Sequence, residues 1–238
     1  MIVAVILARI GSKRIPQKNK RRLADHPLVV WTLEAARQSK ADRIATSSDD
    51  PDILDLAEEF GFAVTRPPEL ATDDAPDAPA IRHALESIQP SGYDAEDIVI
   101  HLRPTAPFRQ PGEIDKVAEL LRRFPCDSVV SVRPAREHPK KAYVETGEIV
   151  GILPEIVPYV GASALGQPSQ SLPQVWHAAG FIDAARIGQF LRDGRMDCGT
   201  VLGWPAPLER AVDIDTEEDF QRAEALARDK AWRPGQCG

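Results

Sequence analysis

After Met1, the sequence continues with the apolar run Ile2-Val3-Ala4-Val5-Ile6-Leu7-Ala8, followed directly by the basic stretch Arg9-Ile10-Gly11-Ser12-Lys13-Arg14-Ile15-Pro16-Gln17-Lys18-Asn19. An unbroken apolar run rich in β-branched residues is typical of a strand buried on both faces of a parallel sheet. Ligands of such sheets bind beyond the carboxyl ends of the strands, which is where the basic stretch would lie. The run therefore predicts both the fold class and the position of a binding site.

Strand and helix patterns alternate beyond this stretch as far as Val132 and again from Gly180. The predicted strands cover residues 43–47, 63–65, 98–102, 128–132, 180–182 and 200–203. The predicted helices cover residues 27–39, 51–60, 78–88, 113–124 and 185–192, and a last helix follows Thr216. Such alternation requires crossover connections, so it predicts a doubly wound, mostly parallel α/β sheet.

The alternation is interrupted between about residues 138 and 175. Residues 141–152 have the pattern of a β-hairpin with Thr146-Gly147 at its middle. We interpret residues 1–238 as a single domain that carries an inserted arm at 138–175. The arm is rich in apolar side chains, namely Ile149, Val150, Ile152, Leu153, Ile156, Val157, Tyr159 and Val160. A projecting apolar segment is a liability unless a partner covers it, so we expect a homodimer.

The composition is that of an ordinary globular protein. Of the 238 residues, 43% are hydrophobic and 27% are charged, which excludes disorder, collagen and coiled coil. No apolar run approaches the roughly 20 residues of a membrane-spanning helix, and the first apolar run precedes its charges, unlike a signal peptide. We therefore expect a cytoplasmic protein that does not bind membranes. We also expect the tail from Trp232 to be frayed.

The charge of the chain is unevenly distributed. The net charge is −7, yet residues 9–22 hold seven of the 29 basic residues and none of the 36 acidic ones. A nucleic-acid-binding protein usually spreads positive charge over a whole domain, and aromatic residues, at 6%, are too scarce for base stacking. The basic stretch therefore indicates a local site for a small polyanion, and no nucleic acid is expected as a partner.

The residue types of the basic stretch suit phosphate binding. Gly11 allows tight backbone curvature, Ser12 offers a hydroxyl donor, and Arg9, Lys13 and Lys18 bring positive charge to the same loop. Those are the components of a phosphate cradle. The stretch is neither G-x-x-x-x-G-K nor G-x-G-x-x-G. A solvated basic loop is the alternative interpretation, but its position at the end of a strand favours a binding function.

The segment A-R-I-G-S-K-R-I-P-Q-K-N resembles the N-terminal signature of the acylneuraminate cytidylyltransferase family, the CMP-sialic acid synthetases and their relatives for other nonulosonic acids. Further segments match family motifs in order along nearly the whole chain. They are Pro27-Leu28-Val29-Val30-Trp31-Thr32, Ser47-Ser48-Asp49-Asp50, Arg66-Pro67-Pro68-Glu69-Leu70-Ala71, Leu102-Arg103-Pro104-Thr105-Ala106-Pro107-Phe108-Arg109, Asp127-Ser128-Val129-Val130-Ser131-Val132 and Val212-Asp213-Ile214-Asp215-Thr216-Glu217-Glu218-Asp219-Phe220. Each match is weak alone, but together they make a specific resemblance.

The resemblance implies a Rossmann-like nucleotidyltransferase fold with a dimerisation arm. It implies a magnesium-dependent reaction that joins CTP to the anomeric hydroxyl of a keto-sugar acid and releases pyrophosphate. Catalysis would rest on positioning and charge neutralisation, with Arg9, Lys13 and Lys18 as the catalytic residues. The implied nucleotide-binding residues are Arg9, Gly11, Ser12, Lys13, Lys18, Asn19, Arg66, Arg103 and Thr105.

The implied metal ligands are Asp213 and Asp215, which flank Ile214. In a strand their side chains would share one face, and Mg²⁺ takes few carboxylates together with phosphate oxygens. The alternative is that this pair caps the next helix. Thr216 has the spacing of a capping box with Asp219, which leaves both carboxylates available for a metal.

The acceptor side departs from the family pattern. The resemblance implies acceptor binding by Arg103, Lys140, Lys141, Gln170 and Trp176. Where many relatives have R-Q-x-L-P-x-V-Y-x-x-N-G, this chain has an altered segment, with Ser169 for the Arg, Trp176 for the Tyr and Ala179 for the Asn. These departures argue against N-acetylneuraminate itself as the acceptor.

Other interpretations remain open at this point. One is a cytidylyltransferase for a different acidic acceptor, such as 3-deoxy-octulosonate or a phosphonate. Another is a catalytically silent CTP-binding protein. Arg109 is expected to be structural, while Asp49 and Asp50 are expected to cap the helix at Pro51.

Overall fold

The first apolar run forms β1 (Ile2–Leu7), whose first five residues are buried. The structure is a computed structural model that describes residues 1–150, 153–160 and 166–237. Strand β1 pairs in parallel with β4 (Arg43–Ser48) on one side and with β6 (Ile98–Leu102) on the other. The predicted central position of this strand is therefore confirmed.

The other elements follow the predicted order. The remaining strands are β2 (Arg22–Leu23), β3 (His26–Pro27), β5 (Phe62–Thr65), β7 (Ser128–Pro134), β8 (Tyr143–Val150), β9 (Leu153–Pro158), β10 (Trp176–Arg186) and β11 (Val201–Pro205). The α-helices are α1 (Leu28–Arg37), α2 (Pro51–Glu58), α3 (Asp77–Ile88), α4 (Pro111–Arg123), α5 (Ile187–Asp193) and α6 (Glu217–Asp229). Short 3₁₀ turns lie at Pro68–Leu70, Pro139–Lys141 and Ser169–Ser171.

The main sheet has the strand order β11-β7-β10-β6-β1-β4-β5. The pairs β1–β4, β1–β6, β4–β5 and β7–β11 are parallel, whereas β10 runs antiparallel to β6. This arrangement confirms the predicted mostly parallel α/β sheet. The carboxyl ends of β1, β4, β5 and β6 consequently share one edge, which is the edge where such sheets bind ligands.

Apolar side chains form clusters on the two faces of the sheet. One cluster joins Ala4 and Ile6 of β1 to α1 and α4, and another joins Val3 and Val5 to α3. A third cluster packs Trp31 and Phe108 against α6. Burial on both faces explains why β1, and β6 apart from His101, appear in the sequence as continuous apolar runs.

The chain divides into two compact units, Met1–Val132 with Ala179–Gly238, and Arg133–Ala178. The first unit contains the phosphate-binding candidates, and the predicted insert at 138–175 falls within the second unit. Within the second unit, β8 and β9 form a two-stranded antiparallel sheet. Among the described residues, no helix is long and apolar enough to cross a membrane.

The predicted turn of the hairpin is wrong. Thr146 and Gly147 lie inside β8, where the register shifts between Glu145 and Ile149. Gly147 has a φ of +88°, a conformation that glycine adopts without strain. The dipeptide therefore forms a β-bulge rather than a turn, since a positive-φ glycine serves both structures. Residues 151–152 and 161–165 of the predicted arm lie outside the described residues.

The prediction of a frayed tail is also wrong. Trp232 is only 7% exposed, and its ring lies 4.9 Å from that of Phe108 between centroids. The Gln110 side-chain amide donates a hydrogen bond of 2.8 Å to the carbonyl of Cys237. The tail is held because its aromatic and apolar side chains complete the cluster beneath α6.

The predicted start of helix α5 at residue 185 is also wrong. The helix begins at Ile187, because residues 185–186 continue β10.

Candidate functional site

The loop that leaves β1 is fastened at the carboxyl edge of the sheet. The amide of Ala8 donates to the Ser47 carbonyl at 3.0 Å, and the amide of Ile10 donates to the Asp49 carboxylate at 2.8 Å. Asp49 therefore holds the loop and does not cap α2, contrary to prediction. Asp50 alone supplies the cap, accepting from the Asp52 amide at 3.1 Å. The loop is thus anchored beside β4 before its cations begin.

Two of the predicted cations meet on one carboxylate. Arg9 Nη1 lies 2.5 Å from Asp73 Oδ1, and Lys13 Nζ lies 2.5 Å from Asp73 Oδ2. The hydrogen bonds from Lys13 and Arg9 lower the pKa of Asp73 below its usual value, so this carboxyl is ionised at neutral pH. Arg9 and Lys13 are therefore brought together, as the sequence predicted. The carboxylate that lies between them, that of Asp73, was not predicted.

Lys18 joins the loop to a distant part of the chain. Its ammonium donates to the Ile214 carbonyl at 2.8 Å and lies 3.6 Å from Asp215 Oδ1. Arg14 Nη1 lies 3.3 Å from the other oxygen of the same carboxylate. Burial lowers the pKa of Lys18, against the opposing effect of Asp215. The predicted cation and the predicted metal ligand are therefore neighbours.

Asp213 lies beside the same lysine. Residues 211–215 form no strand, so the predicted strand geometry for Asp213 and Asp215 is wrong. The segment is held instead by the Ile214 amide, which donates to the Thr105 carbonyl at 2.8 Å, and by the Thr105 hydroxyl, which hydrogen-bonds the Asp213 carboxylate. Burial raises the pKa of Asp213, and the charge of Asp215 adds to the effect. A carboxylate whose pKa is raised in this way favours a nearby cation.

The remaining loop residues shape the loop itself. Asn19 is 9% exposed, and its side-chain amide donates to the Arg9 carbonyl at 2.9 Å. Ser12 Oγ accepts a long 3.4 Å hydrogen bond from the Ile15 amide. A Cβ added at Gly11 would lie 3.4 Å from the Arg9 guanidinium, which is van der Waals contact with the end of a flexible side chain. Asn19 therefore positions the backbone of Arg9.

Arg66 lies in the first unit at the end of β5 and is 5% exposed. Its Nε donates to Ser47 Oγ at 3.0 Å and its Nη2 to the Ser47 carbonyl at 2.7 Å. Burial lowers the pKa of this guanidinium. These contacts tie β4 to β5 beneath the loop, which is a role that the sequence did not indicate.

Arg103, which follows β6 directly, forms salt bridges with two carboxylates. Its Nη1 lies 2.6 Å from Asp183 Oδ2, and its Nη2 lies 3.3 Å from Asp77 Oδ2. Burial acts to lower the pKa of Arg103, but the charges of Asp183 and Asp77 outweigh it and raise the pKa overall. The Asp183 side chain is 8% exposed and accepts from the Ser131 amide at 3.2 Å. Arg103 is therefore fixed in position by a buried anion.

Arg109 is structural, as expected. It is fully buried, and it donates to the Phe181 carbonyl from Nε at 3.1 Å and from Nη2 at 2.8 Å. Further donations reach Thr32 Oγ1 at 2.9 Å and the Arg103 carbonyl at 2.8 Å. Arg109 thus joins α1, β10 and the end of β6, and it holds the backbone of Arg103.

The second unit contains a cavity of about 740 Å³. Its polar lining includes Lys141, Tyr159, Gln170 and His177, so two of the predicted acceptor residues share one cavity. Lys140 and Trp176 are absent from its lining among the described residues, and the Trp176 side chain is 46% exposed.

Ala179 occupies a different environment from the one expected at the acceptor wall. It is 6% exposed and packs in the cluster of the first unit that contains Phe181. Ser169 lies in a 3₁₀ turn, and its side chain falls outside the description.

Three anions of the site, Asp73, Asp77 and Asp183, were not predicted from the sequence. A signal existed for the first two, because Asp73, Asp74 and Asp77 follow the Arg66 segment as a short acidic run. Asp183 stands inside the apolar series around Ile182 and Ala184, where a charge calls for a buried partner. No such pattern identifies which cation each carboxylate meets.

Comparison with known proteins places these residues in a family context. A family model described as Cytidylyltransferase matches residues 3–145. CMP-N,N'-diacetyllegionaminic acid synthase of Legionella pneumophila is 39% identical over 136 residues, which covers 56% of this chain and 58% of the relative. N-acylneuraminate cytidylyltransferase of Streptococcus agalactiae serotype V is 28% identical over 223 residues, covering 92% of this chain and 51% of the relative. The chain thus spans about half the length of these two relatives.

A further relative matches over its whole length. Post-translational flagellin modification protein B of Campylobacter coli is 28% identical over 239 residues, covering 96% of both chains. Among solved structures, CMP:2-keto-3-deoxy-manno-octonic acid synthetase complexed with CTP has a TM-score of 0.63 at 17% identity, over 96% of this chain and 98% of that one. The structure of 4-diphosphocytidyl-2C-methyl-D-erythritol synthase has a TM-score of 0.62 at 10% identity, over 94% and 98%. At these identities the likeness establishes the fold.

The matched region contains the apolar strand β1 and the basic stretch that follows it. It runs from β1 through the cationic loop, Arg66 and Arg103 to the start of β8. Two of the relatives are named as CMP-N,N'-diacetyllegionaminic acid synthase and N-acylneuraminate cytidylyltransferase, and the solved structures share the fold. Since the family model covers more than half of the residues, this chain belongs to the cytidylyltransferase family.

Proposed function

We propose that this protein is an enzyme that transfers CMP from CTP to the anomeric hydroxyl of a nonulosonic, sialic-acid-like sugar acid and releases pyrophosphate. One observation carries the proposal. The cationic loop after β1 lies against the carboxylates of residues 213–215, because Lys18 contacts both the Ile214 carbonyl and Asp215. Cations and a carboxylate pair at the carboxyl edge of a parallel sheet suit a nucleoside triphosphate with its metal ion.

The cations of the loop have a defined task in this reaction. Negative charge develops on the leaving β- and γ-phosphates as the acceptor hydroxyl attacks the α-phosphorus. Fixed positive groups at Arg9, Lys13 and Lys18 stabilise that charge more in the transition state than in the ground state. Lys18 is held by the Ile214 carbonyl, and Asn19 holds the backbone carbonyl of Arg9, so both residues are anchored within the loop.

We propose Mg²⁺ as the metal, held by Asp213 and Asp215. The residues fit this ion, because the raised pKa of Asp213 indicates that its anion lacks full compensation from the protein. No group of three or more His, Cys, Asp or Glu residues able to hold a metal occurs among the described residues. Two carboxylates suffice for Mg²⁺ when phosphate oxygens and water complete its coordination. The ion would neutralise charge on the phosphates.

The acceptor class is proposed from the relatives. Two of them are named for activating diacetyllegionaminic acid and N-acylneuraminate, which are nonulosonic acids. Arg103, Lys140, Lys141, Gln170 and Trp176 remain the proposed acceptor-binding residues. In the first unit, Arg103 stands at the same sheet edge as the loop, where its guanidinium could also take a carboxylate.

The test of this function is a pyrophosphate-release assay with CTP, Mg²⁺ and a panel of nonulosonic acids, 3-deoxy-octulosonate and simple phosphonates. We expect release with at least one nonulosonic acid, lost in Lys18→Met and retained in Lys116→Met, which changes a lysine of α4 outside the site. Release only with 3-deoxy-octulosonate or a phosphonate would replace the acceptor class. CTP binding without release for any acceptor would establish a silent binding protein instead.

N-acetylneuraminate is expected to be a poor acceptor. Ser169 stands where the family resemblance implies an arginine. Without that charged partner, a buried polar or charged group of N-acetylneuraminate is left unpaired, which weakens its binding. We expect kcat/KM for N-acetylneuraminate to be lower by about a hundredfold or more than for the best acid of the panel. Steady-state kinetics on both acids measure this ratio. Equal efficiencies would mean that Ser169 does not occupy the implied position.

CTP is expected to bind at least about tenfold more tightly than ATP, because a pocket built for a pyrimidine excludes a purine by size as well as by hydrogen bonding. Calorimetric titration with the four nucleoside triphosphates measures this preference. The triphosphate group is common to all four ligands, so its contacts with the cationic loop are the same in each. Differences in affinity therefore report on the base. Equal affinities for CTP and ATP would contradict the proposed nucleotide.

The arm is expected to mediate a homodimer. Ile149 is 69% exposed and Tyr159 is 65% exposed, and further apolar side chains of β8 and β9 are at least 40% exposed. We expect light scattering to give the mass of two chains, falling to that of one chain in the double variant Ile149→Lys, Tyr159→Lys. Leu208→Lys changes a similarly exposed apolar residue outside the arm and should leave the dimer intact. A monomeric wild type at micromolar concentration would reject the arm as an interface.

A further inference from the structure

Asp73 bridges the two foremost cations of the loop. One carboxylate oxygen meets Arg9 at 2.5 Å and the other meets Lys13 at 2.5 Å. A phosphate group that bridged the same two side chains would present two oxygens in the same way, since Arg and Lys bind carboxylate and phosphate oxygens alike. The carboxylate and a phosphate therefore compete for the same donors.

The contact of Asp73 can be exchanged, unlike the contact of Asp183 at this edge. The side chain of Asp73 is 29% exposed and that of Lys13 is 82% exposed. By contrast, Asp183 is 8% exposed and is held by both Arg103 and Ser131. Exposed ion pairs contribute little and are screened by salt, so a more highly charged anion displaces them readily.

Asp73 lies in the segment of residues 71–77, here called the strap, which leads into α3. The strap follows the 3₁₀ turn Pro68–Leu70 and ends at Asp77, the first residue of α3, whose carboxylate lies 3.3 Å from Arg103. Between these points the Ala75 amide donates to the Thr72 carbonyl at 3.3 Å. The strap therefore contacts Arg9, Lys13 and Arg103 through two solvent-accessible carboxylates, those of Asp73 and Asp77.

We propose that Asp73 is an internal competing anion of the phosphate site. In the absence of nucleotide its carboxylate occupies the phosphate position on Arg9 and Lys13. A triphosphate, with its greater charge, displaces it, whereas singly charged anions do not. After the reaction Asp73 returns to the two cations and speeds the departure of pyrophosphate. The inference rests on the proposed function only in taking this loop as the phosphate site.

The test compares pyrophosphate binding among matched variants by calorimetry in the presence of Mg²⁺. Asp73→Asn removes the competing charge, and Asp74→Asn removes the same charge from the adjacent exposed residue, which makes no ion pair with any described residue. Asp73→Glu keeps the charge. We expect pyrophosphate to bind about fivefold more tightly to Asp73→Asn than to wild type, with Asp74→Asn and Asp73→Glu close to wild type. The difference should shrink as NaCl is raised to about 0.5 M, through screening.

Thermal unfolding of each variant shows whether the fold is kept. Equal or weaker pyrophosphate binding by Asp73→Asn would overturn the inference and make Asp73 a residue that positions Arg9 and Lys13. The inference also fails if neither protein binds pyrophosphate, or if Asp74→Asn gains as much affinity. The measurement involves neither cytidine nor a sugar acid. Its result therefore does not depend on whether the proposed transfer reaction is observed.

Discussion

Asp213→Asn and Asp215→Asn are each expected to lower CTP-dependent turnover by about a hundredfold or more while leaving the fold intact. An amide keeps the shape of the side chain but loses the charge proposed to hold Mg²⁺. The fold should persist because α6 is capped independently: Thr216 Oγ1 accepts from the Asp219 amide at 3.2 Å, and Asp219 accepts from the Thr216 amide at 2.8 Å. Initial rates of pyrophosphate release over a range of Mg²⁺ concentrations measure the effect.

The two aspartates should differ in their response to added Mg²⁺. Asp215 is paired with Lys18 and Arg14, whereas Asp213 accepts a hydrogen bond from Thr105. Asp229→Asn, which changes an exposed carboxylate at the end of α6, is the matched control and should keep the wild-type rate. Wild-type rates for both site variants at saturating Mg²⁺ would show that the pair supports the chain rather than the metal.

Arg109→Met is expected to lower the free energy of unfolding by roughly 3 kcal/mol or more. The substitution keeps much of the side-chain volume but leaves the carbonyls of Phe181 and Arg103 without their buried donors. For a chain of this size such a loss corresponds to a melting temperature lower by about 6 to 12 °C. Denaturant unfolding and calorimetry measure both quantities.

The matched control for this variant is Arg122→Met, on the exposed side of α4. It removes a guanidinium from solvent and should change the free energy of unfolding by less than about 0.5 kcal/mol. Similar stabilities for the two variants would contradict the structural role of Arg109. Because Arg109 also holds the carbonyl of Arg103, we expect the surviving folded enzyme to show a raised KM for the acceptor.

Much of the fold could be predicted from local patterns. A strand buried on both faces is apolar along most of its length, which made β1 and β6 recognisable, and Asp50 before Pro51 marked the start of α2. The same reasoning failed where one residue type serves two structures. A glycine with positive φ suits a turn or a bulge, so the local pattern predicts a turn at Gly147, whereas this residue lies inside β8.

The candidate site shows the same division. Its cations could be found in the sequence because Arg9, Lys13 and Lys18 share one loop after a buried strand. Its anions could not be assigned, because Lys18 meets Ile214 across 196 positions of the chain and Arg9 meets Asp73 across 64. Ion pairs between loops follow no sequence period, so only the assembled sheet brings such residues together.

The sequence by itself determined the parallel sheet and the family of the chain, and it predicted the edge that we propose as the ligand site. The tertiary structure alone decided which carboxylates face which cations, that Arg66 and Arg109 are buried, and that the tail packs against Phe108. The physical reason is the range of the forces involved. Backbone pairing and apolar periodicity act over a few residues and leave a pattern in the sequence, whereas burial and charge pairing depend on which segments the folded chain brings together.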